Sequence, residues 1–228
     1  MNAHSESHRR QFVSFTFYRV LPEWRRLPLA EREEQRREFA ETIRKWQTSE
    51  AMKVLAYSLV GLRADCHFML WRICYSLECL QEMVSDLLRT RMGGYLELTN
   101  SYLAMTRRSQ YDIGSEHTLQ ASVRGALRPG TCKYLFLYPL VRTRNWYMMP
   151  FEERQRMVRE IIGISEDFPT ARLNVLYSFG LDDQDFVTAI ETDHPDEYLE
   201  RVMRLREVEA SPYPLRDTPM YTCIQLSV

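Results

Sequence analysis

The sequence predicts an α+β protein built from two ferredoxin-like βαββαβ halves, which face each other as a dimeric α+β barrel. Three observations predict it. First, alternating large residues (Tyr134, Phe136, Tyr138) lead through a Trp-Tyr pair and a proline into a segment with apolar residues at Val158, Ile161 and Ile162, which is a strand feeding a helix. Second, Trp146-Tyr-Met-Met-Pro150-Phe-Glu-Glu153-Arg154 repeats Trp24-Arg-Arg-Leu-Pro28-Leu-Ala-Glu31-Arg32 at a distance of 122 positions. In the same register Arg37-Glu38 matches Arg159-Glu160, and Tyr57-Ser58 with Gly61-Leu62 lies near Tyr177-Ser178 with Gly180-Leu181. Several matches in one register mark an internal duplication. Third, both halves spell the same order of elements.

Taken in order, residues 1–10 read as a polar, disordered lead without the apolar core of a signal peptide. The N-terminal half spans 11–106. Its first strand, from Phe12, alternates large apolar with small polar groups, as a strand buried on one face does. Leu29 to Trp46 is a charged surface helix with a narrow stripe at Phe39, Ile43 and Trp46. Met52 to Val60 and Cys66 to Cys74 form a strand pair around Gly61-Leu-Arg-Ala-Asp65. A helix follows from Ser76, its N-cap, to Met92, with Gly93-Gly94 as its stop, and Tyr95 to Met105 is the last strand of the half. Residues 107–131 connect the halves, a length that points to a crossover or a functional loop. The C-terminal half, 132–228, repeats the order: strand 132–141, helix 151–166, strands 172–179 and 185–191, helix 195–209, strand 219–227. Pro195 with Asp196 and Glu197 makes a favourable start to that last helix.

The 228 residues suffice for one large domain or two small ones. A net charge of −1 with no long block of one sign argues against a nucleic-acid or polyanion partner. Five cysteines without CxxC pairing read as reduced thiols of a cytoplasmic protein. No stretch approaches the roughly 20 apolar residues that a membrane span needs.

Met69-Leu-Trp-Arg, Gly93-Gly-Tyr-Leu-Glu97, Ser101-Tyr-Leu-Ala-Met105, Lys133-Tyr-Leu-Phe-Leu-Tyr-Pro139, Trp146-Tyr-Met-Met-Pro150, Tyr177-Ser-Phe-Gly-Leu-Asp-Asp-Gln184, Leu205-Arg-Glu-Val-Glu-Ala-Ser211 and Leu215-Arg-Asp-Thr-Pro219 occur in that order. Together they resemble the chlorite dismutase family, which includes the coproheme decarboxylases of bacterial heme synthesis. The resemblance runs from about Phe12 to Ile224. It implies a ring-shaped homo-oligomer, a pentamer or hexamer, with heme or coproheme in the C-terminal half; a paralog joining the ring is the other arrangement.

The resemblance also defines a site from which this sequence departs. Heme-binding relatives carry a proximal histidine in an Arg-Glu-His pattern, and the matching triplet here is Arg159-Glu160-Ile161. An isoleucine has no lone pair for iron. The distal arginine or glutamine of the family falls on or next to Leu173, with Arg172 and Asn174 as neighbours. Tyr147 matches the radical tyrosine of the coproheme enzymes, although a residue after Trp146 at a strand-to-helix corner also suits a plain structural role. Trp146 belongs to the same pocket wall. Glu209 matches the acidic residue that supports the proximal histidine; without that histidine it reads as a surface carboxylate or as a partner of Lys133.

No other histidine takes the vacant role. His4 and His8 lie in the lead, His117 in the connection, His194 at a helix start and His67 in a strand of the other half. A metal cluster of Cys66, His67, Cys74 and Cys79 is disfavoured because successive strand residues point to opposite faces. The expected function is therefore a heme-free family member with no cofactor and no metal, acting as a binding or structural subunit. The alternative is a heme- or coproheme-dependent oxidoreductase that uses Tyr147. A third reading has the emptied pocket taking an apolar or anionic small molecule, with Arg142, Arg144 and Lys133 facing its carboxylates.

Overall fold

A computed structural model of the chain describes residues 9–111, 127 and 129–227. The lead, most of the connection, and His4, His8 and His117 lie outside the described residues. The N-terminal half comprises β1 (Phe12–Val20), α1 (Pro22–Arg26), α2 (Leu29–Thr48), β2 (Met52–Ser58), β3 (Phe68–Cys74), α3 (Leu77–Arg89), a 3-10 turn (Met92–Tyr95) and β4 (Leu96–Met105). The C-terminal half comprises β5 (Tyr134–Arg142), α4 (Arg144–Met148), α5 (Phe151–Glu166), β6 (Arg172–Tyr177), β7 (Phe186–Thr192), α6 (Pro195–Leu205), β8 (Pro214–Arg216) and β9 (Tyr221–Leu226).

Antiparallel pairing gives the order β4-β1-β3-β2 in the first half and β9-β5-β7-β6 in the second, the same order counted from the fourth strand of each. β2 pairs with β9 and β4 with β6, so the ladder returns on itself through both halves. The duplication is structural as well as sequential. Phe12 and Tyr134, which open β1 and β5, are 122 positions apart, as are Leu29 and Phe151, which open α2 and α5. Leu77 and Pro195, which open α3 and α6, are 118 apart, as are Phe68 and Phe186 of β3 and β7.

Strand alternation divides the core. Val13, Phe15, Phe17, Met69 and Trp71 from one half meet Leu135, Leu137, Val187 and Ala189 from the other inside the ladder. The outer faces are covered by helices: Leu70, Val54 and Ala56 pack under α2 and α3 through Phe39, Ile43, Leu80 and Met83, and Phe136, Leu173 and Ile190 pack under α5 through Ile162. β1 is consequently buried on both faces rather than on one, and its small polar residues are inside too: Ser14 accepts a hydrogen bond from the guanidinium of the buried Arg72 at 2.9 Å.

Several expected boundaries move. α3 ends at Arg89, where Thr90 caps it, and not at Met92. Gly93 lies in the 3-10 turn, where a Cβ would come within 2.3 Å of the Leu87 carbonyl oxygen. α6 stops at Leu205, and the chain turns back to lay β8 against β5 instead of continuing as helix to Glu209. Cys66 and His67 precede β3 rather than belonging to it. Among the described residues no helix is long and apolar enough to cross a membrane, and no cluster of His, Cys, Asp and Glu is suited to a metal ion.

Candidate functional site

Between the outer face of the C-terminal sheet and its two long helices lies a cavity of about 430 Å³. Period-two alternation builds one wall from Tyr138, Leu140 and Arg142 of β5, Leu173, Val175 and Tyr177 of β6, and Phe186 and Thr188 of β7. Helical spacing builds the other from Val158, Ile161 and Ile162 of α5 and from Tyr198, Arg201, Val202 and Leu205 of α6.

The duplication shows how the wall of this cavity differs from the matching layer of the other half. At the matching place in the N-terminal half, the ring of Tyr18 stacks on Phe68 with centroids 5.0 Å apart, and Phe39 meets Phe68 edge-on at 6.0 Å. Registers of 122 and 118 put Leu140, Ile161 and Phe186 in those three positions. Two aromatic rings are thus replaced by smaller branched aliphatic side chains, which widen the cavity at its sheet wall and at its helix wall.

Four of the sequence-derived site residues are brought together: Ile161, Leu173, Trp146 and Tyr147 all line the cavity. Lys133 and Glu209 do not. Glu209 accepts two hydrogen bonds from Arg156 at 2.6 and 2.7 Å, an exposed bidentate pair that holds its carboxyl below the usual range, so it is a surface carboxylate whose basic partner is Arg156 and not Lys133. The reason is placement: Glu209 follows α6, beside α5, whereas Lys133 immediately precedes β5, where its backbone N–H donates to Asp193 and its ammonium lies 5.1 Å from the Tyr134 ring centroid. Arg144 is exposed, so of the three basic residues expected at the pocket only Arg142 reaches it. Asn174 turns to the inside of the ladder and donates to Glu191 at 3.3 Å. His67 accepts from the Val20 N–H at 2.9 Å, in the other half, and the exposed His194 caps α6.

Tyr147 donates its hydroxyl to Asp185 Oδ2 at 2.7 Å, and the same oxygen accepts the backbone N–H of Arg142 at 2.7 Å. Burial first, and then Asp185, push the Tyr147 phenol well above its usual pKa. The Arg142 guanidinium stacks 4.2 Å from the Trp146 ring centroid. Burial lowers the pKa of both Arg142 and Arg201. Among the described residues, Nη1 of Arg142, Nε of Arg154 and both Nε and Nη1 of Arg201 are buried with no hydrogen-bond acceptor. The cavity is apolar over most of its wall yet carries buried cationic groups, a combination that suits an apolar body bearing acid groups.

Arg201, Arg154, Tyr138 and Asp185 escaped the sequence reading. A helical arginine between Glu200 and Val202 reads as part of a solvated face, but Tyr198, Arg201, Val202 and Leu205 recur at the spacing of a buried stripe. That periodicity was the available signal.

A model of the chlorite dismutase family matches residues 32–226. The coproheme decarboxylase of Mycolicibacterium smegmatis is 30% identical over 191 residues, covering 83% of this chain and 80% of its own. The chlorite dismutase of Ideonella dechloratans is 26% identical over 209 residues, covering 90% and 72%. The structure of the chlorite dismutase of Candidatus Nitrospira defluvii in complex with imidazole superimposes with a TM-score of 0.85 at 20% identity, covering 95% of this chain and 91% of the other, and so shares its fold.

Proposed function

The chain belongs to the chlorite dismutase family, and from that premise we propose that it is a member without heme ligation, whose C-terminal cavity binds an iron-free ligand and whose copies assemble as a ring. The observation that carries the reading is the donor set of the cavity. Ile161 stands on the helix wall and Leu173 on the sheet wall, and among the described residues neither an imidazole nor a thiol lines the space. The phenols of Tyr147, Tyr177 and Tyr198 are held protonated by burial, which disfavours tyrosinate ligation. A buried arginine on α6 adds positive charge next to α5, where its Nη2 donates to Ser165 Oγ at 2.9 Å. These residues do not fit the iron of a porphyrin. The five free cysteines suit a reducing, cytoplasmic setting.

A second reading, a heme- or coproheme-dependent oxidoreductase like the named relatives, is favoured by one contact. Tyr147 lines the cavity with its hydroxyl on a carboxylate, the arrangement in which a phenol that loses an electron passes its proton to a neighbouring base.

The deciding experiment is a titration of the purified protein and of an Ile161→His variant with hemin and with coproheme, followed in the Soret region. The expected result is no axial-ligand spectrum from the wild type and a five-coordinate spectrum from the variant. A wild type that takes up either porphyrin stoichiometrically with a ligated iron overturns the reading and supports the oxidoreductase.

A further inference from the structure

Two guanidinium groups with buried nitrogens, unpartnered among the described residues, line the cavity where the sister half has apolar residues. The register of 118 between α3 and α6 sets Arg201 against Met83, which is fully buried in the apolar core under α2 and α3. The register of 122 between β1 and β5 sets Arg142 against Val20, packed on the same core. The fold therefore builds this layer from apolar residues when nothing else is asked of it, and a guanidinium at either place needs another cause.

Arg201 is the stronger of the two. It is only 2% exposed and, among the described residues, one of its three nitrogens has a partner. Ser165, which accepts that bond, gives its one proton to the Ile161 carbonyl at 2.9 Å. The phenols of Tyr138 and Tyr198 act on Arg201, and the one carboxylate lining the cavity among the described residues, Asp217, is already paired with Arg206 at 2.9 Å. Arg72, the buried arginine of the N-terminal half, is different: it donates to the Leu80 carbonyl at 3.0 Å and to Ser14 at 2.9 Å, joining a helix to the sheet. An arginine does not lose its charge on burial, so Arg201 brings an uncompensated cation to the wall of an apolar cavity.

We propose that Arg201 is the seat for a carboxylate carried on an apolar body, with Ile161, Ile162 and Leu173 enclosing that body and Arg142 available to a second acid group. The inference rests on the iron-free reading of the cavity, because it places an anion beside the helix from which an iron ligand would otherwise reach.

The test uses calorimetry on the full chain with two probes of one shape, dodecanoate and dodecan-1-ol. Wild type is expected to bind the acid at least tenfold more tightly than the alcohol. Arg201→Gln is expected to reduce that preference to about twofold while leaving the alcohol unchanged, and Arg201→Lys to keep part of it. The wild-type ratio stands as evidence even where a variant fails to fold: equal binding of acid and alcohol, or binding of neither, overturns the proposal. Metal-free coproporphyrin is added as a competitor. Displacement of dodecanoate assigns the carboxylate to a tetrapyrrole, and its absence assigns it to a fatty-acid-like ligand. A wild type that ligates hemin iron but still prefers the acid removes the iron-free reading and keeps the seat. One that ligates no iron and shows no preference removes the seat alone.

Discussion

The hydroxyl of Tyr147 is bound to Asp185 at 2.7 Å, tying α4 to the strand that follows β6 at the edge of the cavity. The same carboxylate holds the backbone of Arg142, so one side chain fixes both the phenol and the strand end that carries the guanidinium.

Tyr147→Phe removes one of the two hydrogen bonds to Asp185 and keeps the ring. The expected loss of stability is about 1 kcal/mol, because the carboxylate retains the Arg142 N–H and reaches water. Urea unfolding of the two proteins checks it, and acid binding in the cavity should persist in the variant.

Phe39 and Ile161 occupy equivalent places in the two halves, yet their truncation should differ. Phe39→Ala opens a void in a filled core and is expected to cost about 3–5 kcal/mol. Ile161→Ala enlarges a cavity that already exists and should cost about 1 kcal/mol. Equal costs in denaturant titrations would contradict the tighter packing of Phe39 than of Ile161.

Ile161→Phe restores the aromatic ring at the equivalent of Phe39. It should raise stability by about 1 kcal/mol through added burial, and weaken dodecanoate binding by narrowing the space. Thermal melts paired with calorimetry separate the two effects.

Glu191 is buried inside the ladder and accepts the Gly130 N–H at 2.6 Å; burial raises its pKa despite that bond. The folded state then holds its proton more tightly than the unfolded state does. Its contribution to stability is full below the ordinary carboxylate value and is lost as pH rises through the raised folded value. Compared with Glu191→Gln, wild type should therefore lose stability relative to the variant as pH rises above the ordinary carboxylate value of about 4.5. Unfolding midpoints of both proteins across that range give the difference, and a wild-type curve parallel to the variant's would refute it.

Glu209→Gln should leave the urea midpoint unchanged within the scatter of replicates, because Glu209 and Arg156 are both exposed and water screens their pair. A measurable loss would show that this carboxylate supports the cavity after all.

Element order and duplication were legible in the sequence because periodicity is local: a two-residue repeat between turns, or apolar residues at Val158, Ile161 and Ile162, fixes a strand or a helix without distant partners. Trp24 and Trp146, each followed by a proline four positions on, also made the internal repeat readable, and they mark short helices that sequence showed only as corners. Family resemblance brought Ile161, Leu173, Trp146 and Tyr147 to one place, and the structure gathers them around one cavity. Tertiary structure alone decided the rest. Whether Glu209 meets Lys133 or Arg156 depends on where α6 ends, and that depends on β8 docking against β5. Whether Arg201 faces water or a cavity depends on which face of α6 the sheet covers. A charge has the same letter in either environment, and only packing between distant segments determines whether solvent or an apolar wall surrounds it.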